Sequence, residues 1–175
     1  SLIMWMTFFF PLSLASYLYS SIKSDQFSAN LGSNFSWIAL TVGFTGLMVR
    51  WYESYLISPD VGHIPISNLY EVFVLFCLIT GAMYLYYEQK SQTKKLGSFV
   101  LIIINAAVAF ILWYTFAKNA DAIQPLVPAL QSYWMKIHVP TNFIGYGAFS
   151  ISAMIAVAYL LRNQSLIKNI LPSEY

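Results

Sequence analysis

Apolar residues are concentrated in five stretches of the chain, separated by polar connections. The stretches cover about residues 1–20, 35–51, 69–87, 97–116 and 141–161. A helix needs roughly 20 mostly apolar residues to cross the hydrocarbon core of a bilayer, and each stretch comes close to that length. The pattern predicts an all-α integral membrane protein, in which residues 1–175 form a single transmembrane helical domain with about five spans.

The composition supports this interpretation and excludes several classes of protein. Hydrophobic residues make up 58% of the chain and charged residues only 9%, against about 45–50% and about 25% in typical soluble domains. No run of basic residues marks a nucleic-acid interface. The single cysteine, Cys77, excludes a disulfide or a two-thiol redox relay within these residues.

The first apolar stretch is interpreted as a span rather than a signal peptide. No basic residue precedes it, and no small-residue cleavage site follows it. The chain begins at Ser1 without an initiator methionine and stops at Tyr175 with no closing feature. We therefore expect it to be part of a longer polypeptide.

The distribution of cations predicts how the spans are oriented. One set of connections carries six cations (Lys23, Lys90, Lys94, Lys95, Arg162 and Lys168), and the other carries three (Arg50, Lys118 and Lys136). Because cytoplasmic connections are enriched in Lys and Arg, we expect residues 52–68 and 117–140 to face the outer, periplasmic or lumenal, side. Both histidines, His63 and His138, fall in these outer connections, and the middle of each span lacks Asp, Glu, Lys, Arg and His. Any chemistry is therefore expected at the outer rim.

The connection before the fifth span contains a candidate ligand for a metal-bearing group. Pro128 and Pro140 are spaced to hold a short helix of about ten residues, with Trp134 and His138 on its apolar face. Such a helix is expected to lie along the membrane surface. A neutral imidazole beside an indole could hold a flat heme ring, since histidine is a common axial ligand of heme iron. The alternative is that Trp134 is an interface anchor and His138 a structural residue.

The other outer connection contains a helix-capping signal. Asn68 and Glu71 have the spacing of a capping box at the start of the third span. A carboxylate near a helix N-terminus also suits the helix dipole, so a structural role for Glu71 is favoured over ligand binding. His63, in the same connection, is expected to be an ordinary loop residue.

Small residues mark places where helices can approach closely in lipid. Ala148, Ser152 and Ala156 repeat at four-residue spacing along the fifth span, with Gly145 before them, and the second span carries Gly43 and Gly46. Such stripes are typical of helix–helix contacts in membranes.

Two segments resemble the CcsA/ResC-type cytochrome c assembly proteins, the integral membrane component of the system II pathway. The first runs from Gly62 to Glu71, with the sequence GHIPISNLYE, and the second runs from Pro128 to Gly147, with the sequence PALQSYWMKIHVPTNFIGYG. The order, spacing and outer placement of the two segments also agree with that family.

The resemblance implies that the chain handles heme b. Family members move heme to the outer face, hold it between two outer histidines and present its vinyl groups to the Cys-x-x-Cys-His motif of apocytochrome c. They act with a ResB-type membrane partner, either separate or fused. By its position in the second segment, His138 matches the first of the two outer histidines, and Trp134 belongs to the same ligand-bearing helix. The match gives His63 no ligand role.

The tryptophan-rich loop of the family, its second outer histidine and its intramembrane histidine are absent from these residues. The resemblance therefore implies one part of a cytochrome c heme lyase, incomplete as given, in a bacterial inner membrane or a thylakoid-type membrane. Two alternatives stay open. A b-type electron-transfer subunit would need histidines within the spans, and a cofactor-free transporter or scaffold would need a marked path or broken spans.

Overall fold

In the part of the chain that the structure describes, five long helices form a bundle. A computed structural model describes residues 2–57, 62–118, 122–123 and 131–162. The helices are α1 (Leu2–Lys23), α2 (Gln26–Ile57), α3 (Leu69–Ser91), α4 (Gly97–Lys118) and α5 (Met135–Arg162), and no strand occurs in the described ranges. Four of them, α1, α3, α4 and α5, are long and apolar enough to cross a membrane. The prediction of an all-α integral membrane protein is confirmed.

Helix α2 is long enough to cross a bilayer but less apolar than the other four. Its 32 residues extend over roughly 48 Å at 1.5 Å per residue. It lies antiparallel to α1 along most of its length: Gly46 is closest to Ile3, and Ser36 bonds Ser13, their hydroxyl oxygens 2.7 Å apart. Part of its polar content is therefore buried and bonded inside the protein, as at Ser33, Ser36 and Arg50. We infer that α2 accompanies α1 through the same layer.

A tight turn joins α1 to α2. Ser24 has a positive φ of 53°, and Asp25 caps α2 by accepting hydrogen bonds from the backbone N–H groups of Phe27 (3.2 Å) and Ser28 (3.0 Å). The hydroxyl of Ser28 also donates to the Asp25 carboxylate. These bonds, chiefly the one from that hydroxyl, hold the pKa of Asp25 below its usual value. The side-chain capping allows the sharp reversal that packs α2 on α1.

Successive helices alternate in direction, so α3 and α5 are parallel. The rings of Phe76 and Phe143 are in contact, 6.4 Å between centroids. One turn further along, a Cβ placed on Gly147 would lie 3.0 Å from the hydroxyl oxygen of Thr80. Gly147 therefore makes the close approach to α3, whereas a Cβ on Gly145 would meet nothing within 4 Å, and contact of the predicted stripe with a partner helix stays a prediction. In the apolar 18-residue stretch of α5, 11% of the residues are buried, whereas 50% are buried in the corresponding stretch of α3. Helix α5 therefore lies at the edge of the bundle.

The predicted short surface helix is not a separate element in the described residues. Residues 131–134 form a turn, and Met135 to Pro140 belong to the beginning of α5. Residues 124–130 lie outside the described ranges. The prediction that a helix ends at Pro140 was wrong, since Pro140 lies inside α5. The φ fixed by proline is compatible with a helix, and a long helix can tolerate the loss of one N–H donor. His138 is therefore in the second turn of a helix that runs on across the membrane layer.

A buried carboxylate joins three helices at the end of the bundle opposite to both histidines. Glu88 of α3 accepts hydrogen bonds from the hydroxyls of Tyr17 (2.6 Å), Tyr84 (2.7 Å) and Ser33 (2.5 Å). The ammonium of Lys94 lies 3.8 Å from the same carboxylate. These partners come from α1, α2, α3 and the connection after α3, so the bonds fix how the helices align.

We predict that an added methyl group beside Tyr17 destabilises the protein. A Cβ would lie 2.8 Å from the Tyr17 ring at Gly32 and 2.4 Å from it at Gly97, and this ring is buried with its hydroxyl bonded to Glu88. Overpacking of this kind typically costs about 1–3 kcal/mol. Gly32→Ala and Gly97→Ala should therefore lower the midpoint of unfolding in detergent, followed by circular dichroism.

The control is Gly145→Ala, since a Cβ there meets nothing within 4 Å. Alanine also has a higher helix propensity than glycine, by about 1 kcal/mol, so this variant should be neutral or more stable. Equal midpoints for Gly97→Ala and Gly145→Ala would contradict the packing described for Tyr17.

Candidate functional site

Both histidines lie at the same end of the bundle, here called the histidine end. His63 is in the segment 62–68 that leads into α3, and His138 is near the start of α5. Because α3 and α5 are parallel and Phe76 contacts Phe143, His138 comes close to the level of Glu71 along the bundle. The described parts of the two connections, residues 62–68, 122–123 and 131–134, thus lie at the histidine end, and the side of the membrane that this end faces stays a prediction.

The His138 side chain is exposed, as is that of Trp134, which has 73% of its surface accessible. The backbone N–H of His138 donates to the carbonyl of Trp134 at 2.8 Å, which sets the two residues one turn apart on one side of the helix. Within the described part of the chain, the His138 ring makes no hydrogen bond or ion pair. The ligand role of His138 and the packing role of Trp134 stay predictions.

The kind of metal that this surface could hold follows from its donor set. No group of three His, Cys, Asp or Glu side chains in the described ranges could coordinate a bare metal ion. His138 offers one exposed imidazole, which suits a metal whose other ligands come largely from its own macrocycle, as in heme. The residues present therefore fit one axial position of a heme.

His63, in contrast, is 8% exposed. Its backbone N–H donates to the Ser54 hydroxyl at 3.2 Å, and its ring Nε2 lies 2.7 Å from the hydroxyl oxygen of Ser67. His63 is a loop residue, as expected, and it is in addition a buried member of a polar network. The sequence around His63 does not indicate that this residue is buried, since its partner Ser54 lies on α2, a different element.

Glu71 is the centre of this network and is 1% exposed. The carboxamide oxygen of Asn68 accepts the Glu71 backbone N–H at 2.9 Å, so the predicted N-cap is confirmed. The Glu71 carboxylate, however, accepts from the backbone N–H and the hydroxyl of Ser67, both at 2.8 Å. In a capping box this carboxylate would accept the backbone N–H of the N-cap residue, Asn68, but here it accepts that of Ser67, one residue earlier. Glu71 thereby joins the 62–68 segment to α3.

Arg50 completes the network from inside α2. Its Nε donates to the Glu71 carboxylate at 2.7 Å, its guanidinium lies 5.3 Å from the centroid of the Tyr70 ring, and its Nη2 donates to the carbonyl of Ala122 at 3.4 Å. The sequence reasoning counted Arg50 as a loop cation and missed this role. The available signal was its place at the edge of an apolar stretch, where a charge needs a partner.

A family model described as "Cytochrome C assembly protein" matches residues 66–174. Among curated proteins, the chain is similar to "Cytochrome c biogenesis protein CcsA" of Chlorella vulgaris, with 36% identity over 138 residues, which is 78% of this chain and 43% of that protein. The protein of the same name from Gloeobacter violaceus is 31% identical over 157 residues, 87% of this chain and 44% of the relative. The one from Chlamydomonas reinhardtii is 33% identical over 66% of this chain and 31% of the relative.

The chain spans less than half the length of the curated relatives it matches. No solved structure matches it. The region matched by the family model includes α3, α4 and α5, and with them Glu71, Trp134 and His138. The chain is an integral membrane protein that belongs to the cytochrome c assembly protein family and is of the CcsA type.

Proposed function

We propose that the chain acts in cytochrome c biogenesis as a heme-handling membrane segment. In this proposal His138 binds the iron of heme b at the outer face of the membrane, and Trp134 packs beside the ring. The heme is presented for covalent attachment to the Cys-x-x-Cys-His motif of apocytochrome c, together with a ResB-type partner. The observation that carries the proposal is the exposed His138–Trp134 turn within the region that the family model matches.

The exposure of His138 supports a ligand role. An imidazole nitrogen must approach iron along an axis perpendicular to the porphyrin plane, which requires an unobstructed approach to that nitrogen. The neighbouring exposed side chains, Tyr133, Trp134 and Ile137, give the turn an apolar and aromatic surface. Burial of this surface against a flat apolar ring would contribute roughly 25 cal/mol per Å².

The position of His138 along the helix also favours this function over electron transfer by a b-type heme. Such subunits clamp heme inside the bilayer between histidines on two spans. In the described helices the one histidine is His138, and it lies near the start of α5. A site at the rim of the membrane suits transfer of heme to an exported acceptor, whereas a site at the middle of the bilayer suits electron transfer.

The proposed contribution to the heme lyase is orientation. Addition of a cysteine S–H across a heme vinyl C=C forms the carbon–sulfur bond and places the hydrogen on the neighbouring vinyl carbon, so no atom is left over. A segment that holds the substrate must fix the ring at one face and leave its vinyl edge accessible, because positioning is what accelerates such a step. A single exposed ligand on a helix holds one face of the ring and leaves its edge accessible, and further contacts, among them Trp134, must stop the ring from rotating about the iron–imidazole bond.

We predict that the histidine end faces the outer side of the membrane. Cys77 is fully buried, so a cysteine introduced at an exposed position should be the main reactive thiol of these residues. Lys136→Cys, at the histidine end, should react with a membrane-impermeant maleimide added to right-side-out vesicles. Lys90→Cys, exposed at the opposite end, should react only after permeabilisation. The reverse pattern would contradict outer binding of heme.

We predict that His138→Ala lowers the heme content of the natural full-length protein. Loss of a residue that merely supports a metal ligand commonly costs 10–100-fold in affinity, so loss of a ligand should cost about tenfold or more. Heme per protein is measured by the pyridine hemochrome spectrum, and added imidazole should restore part of it. Lys136→Ala, on the same exposed turn, is the matched control. An unchanged heme content in His138→Ala would refute the site.

We predict that Trp134→Ala weakens heme retention by up to about tenfold, since aromatic contacts contribute about 0.5–1.5 kcal/mol beyond burial of their area. Trp134→Phe should retain most of the heme because it preserves a flat apolar ring. Trp113→Ala is the control, since Trp113 is also exposed near the histidine end but lies on α4. Heme dissociation to apomyoglobin is the measurement, and equal dissociation rates for the two alanine variants would exclude a packing role.

A further inference from the structure

A polar cavity lies between α2 and α3 at the end of the bundle opposite to the histidines. Its volume is about 430 Å³, within the range of roughly 300–1,000 Å³ that is typical of small-molecule sites. We call it the carboxamide cavity, because amide side chains dominate its lining: Gln26, Asn30 and Asn34 from α2, with Gln89 and Gln92 from the end of α3 and the residue after it. The proposed binding of heme at the histidine end does not account for this concentration of amides.

The charges that line the carboxamide cavity are already paired. Among the described residues its lining includes one acid, Glu88, and one cation, Lys94. Glu88 is 5% exposed and accepts hydrogen bonds from three hydroxyls, and the Lys94 ammonium lies 3.8 Å from its carboxylate. Lys94 also donates to the carboxamide oxygen of Asn30 at 2.7 Å. The lining therefore has no net charge, which favours an uncharged ligand.

The carboxamides, in contrast, keep unused hydrogen-bonding capacity. In the described ranges the side chains of Asn34 and Gln89 make no hydrogen bond, and each carries two N–H donors and an acceptor oxygen. Asn34 lies more than two turns after the start of α2. Polar groups without partners cost free energy in the membrane layer and commonly mark functional positions there. The cavity is thus suited to a ligand rich in hydroxyl groups, which both donate and accept.

The same face of α2 becomes apolar beyond the carboxamide cavity. Asn30, Asn34 and Trp37 follow one another at the spacing of helical turns, and Phe44 lies two turns further on. Trp37 is 46% exposed and Phe44 is 58% exposed. Thr41, which lies between them, donates its hydroxyl to the carbonyl of Trp37 and needs no other partner. A ligand that follows this face therefore has a polar head and an apolar tail, as a lipid has.

We propose that the carboxamide cavity binds the sugar headgroup of an uncharged glycolipid. The amides of Asn34 and Gln89 bond the sugar hydroxyls, the Trp37 indole packs on the apolar face of the sugar ring, and an acyl chain follows α2 past Phe44. A phosphate headgroup fits less well, because it places a second negative charge beside Glu88. The site lies at the other end of the bundle from His138, so the proposal is independent of the proposed function.

The test is retention of a galactolipid by the natural full-length protein. The protein is placed in nanodiscs of phosphatidylcholine with monogalactosyldiacylglycerol, extracted into a detergent without a sugar headgroup, and analysed by native mass spectrometry. We expect a single galactolipid to be retained. Asn34→Leu, at an exposed position, should lower this retention about tenfold, because the hydrogen bonds of one carboxamide are lost. Trp37→Leu should lower it severalfold, because the flat ring is lost.

The matched control is Asn142→Leu, the same substitution on α5 at the histidine end, which should retain the galactolipid. Equal retention by Asn34→Leu and Asn142→Leu overturns the proposal. So does equal retention of phosphatidylglycerol by the unmodified protein, since an uncharged headgroup is then not selected. If methyl β-galactoside binds as tightly as the galactolipid does, the role of the acyl chain is refuted.

A second measurement tests whether the carboxamide cavity is open and occupied in the folded protein. Galactolipid should raise the midpoint of unfolding of the unmodified protein but not that of Asn34→Leu, because a ligand that binds only the folded state stabilises it. In delipidated protein, Asn34→Cys should react with a maleimide. An unreactive Asn34→Cys, together with no galactolipid retained, would show that another part of the polypeptide covers the cavity, and the proposal would fail.

Discussion

The polar side chains that the helices bury need bonding partners, and the bundle depends on this constraint. Helix α3 carries a buried carboxylate near each end, Glu71 at the histidine end and Glu88 at the other. A charge without a partner is costly in a medium of low dielectric constant, so each carboxylate dictates which residues must lie beside it. Glu88 requires Tyr17 of α1 and Ser33 of α2, and Glu71 requires Arg50 of α2. Apolar packing brings the helices together, and these bonds select their register.

The same constraint divides the bundle into two parts. Helices α1 to α4 are joined by hydrogen bonds as well as by packing, and even the polar Asn105 of α4 donates to the carbonyls of Leu101 and Phe10. Helix α5 has no such bond in the described residues and contacts α3 through Gly147 and the Phe143 ring. Local stability follows the density of buried contacts, so α5 is the helix that the described contacts hold least firmly. The candidate site is at one of its ends.

The sequence predicted elements well where the signal was local, and failed where it depended on distant partners. Residues 69–87 and 97–116 were predicted as spans close to α3 and α4, because an apolar run followed by polar residues is a local property. The N-cap at Asn68 is likewise local. The roles of Arg50 and Glu88 were missed, since their partners are far away in sequence: Arg50 bonds Glu71 across 21 residues, and Glu88 bonds Tyr17 across 71. The role of Gly147 was missed for the same reason, because the helix that α5 meets determines which small residue lies at the contact.

The two histidines show why burial separates a structural role from a candidate ligand more clearly than residue type does. His63 is enclosed, and its ring Nε2 lies 2.7 Å from the Ser67 hydroxyl oxygen, so its hydrogen bonding supports the 62–68 segment. His138 is exposed next to Trp134 on the second turn of a helix. A ligand that presents cargo to an acceptor must be accessible, yet an accessible side chain gains little from packing and has many rotamers available. Precision must then come from the backbone that carries it, which at His138 is the beginning of α5, packed on α3 by the contact between the Phe143 and Phe76 rings.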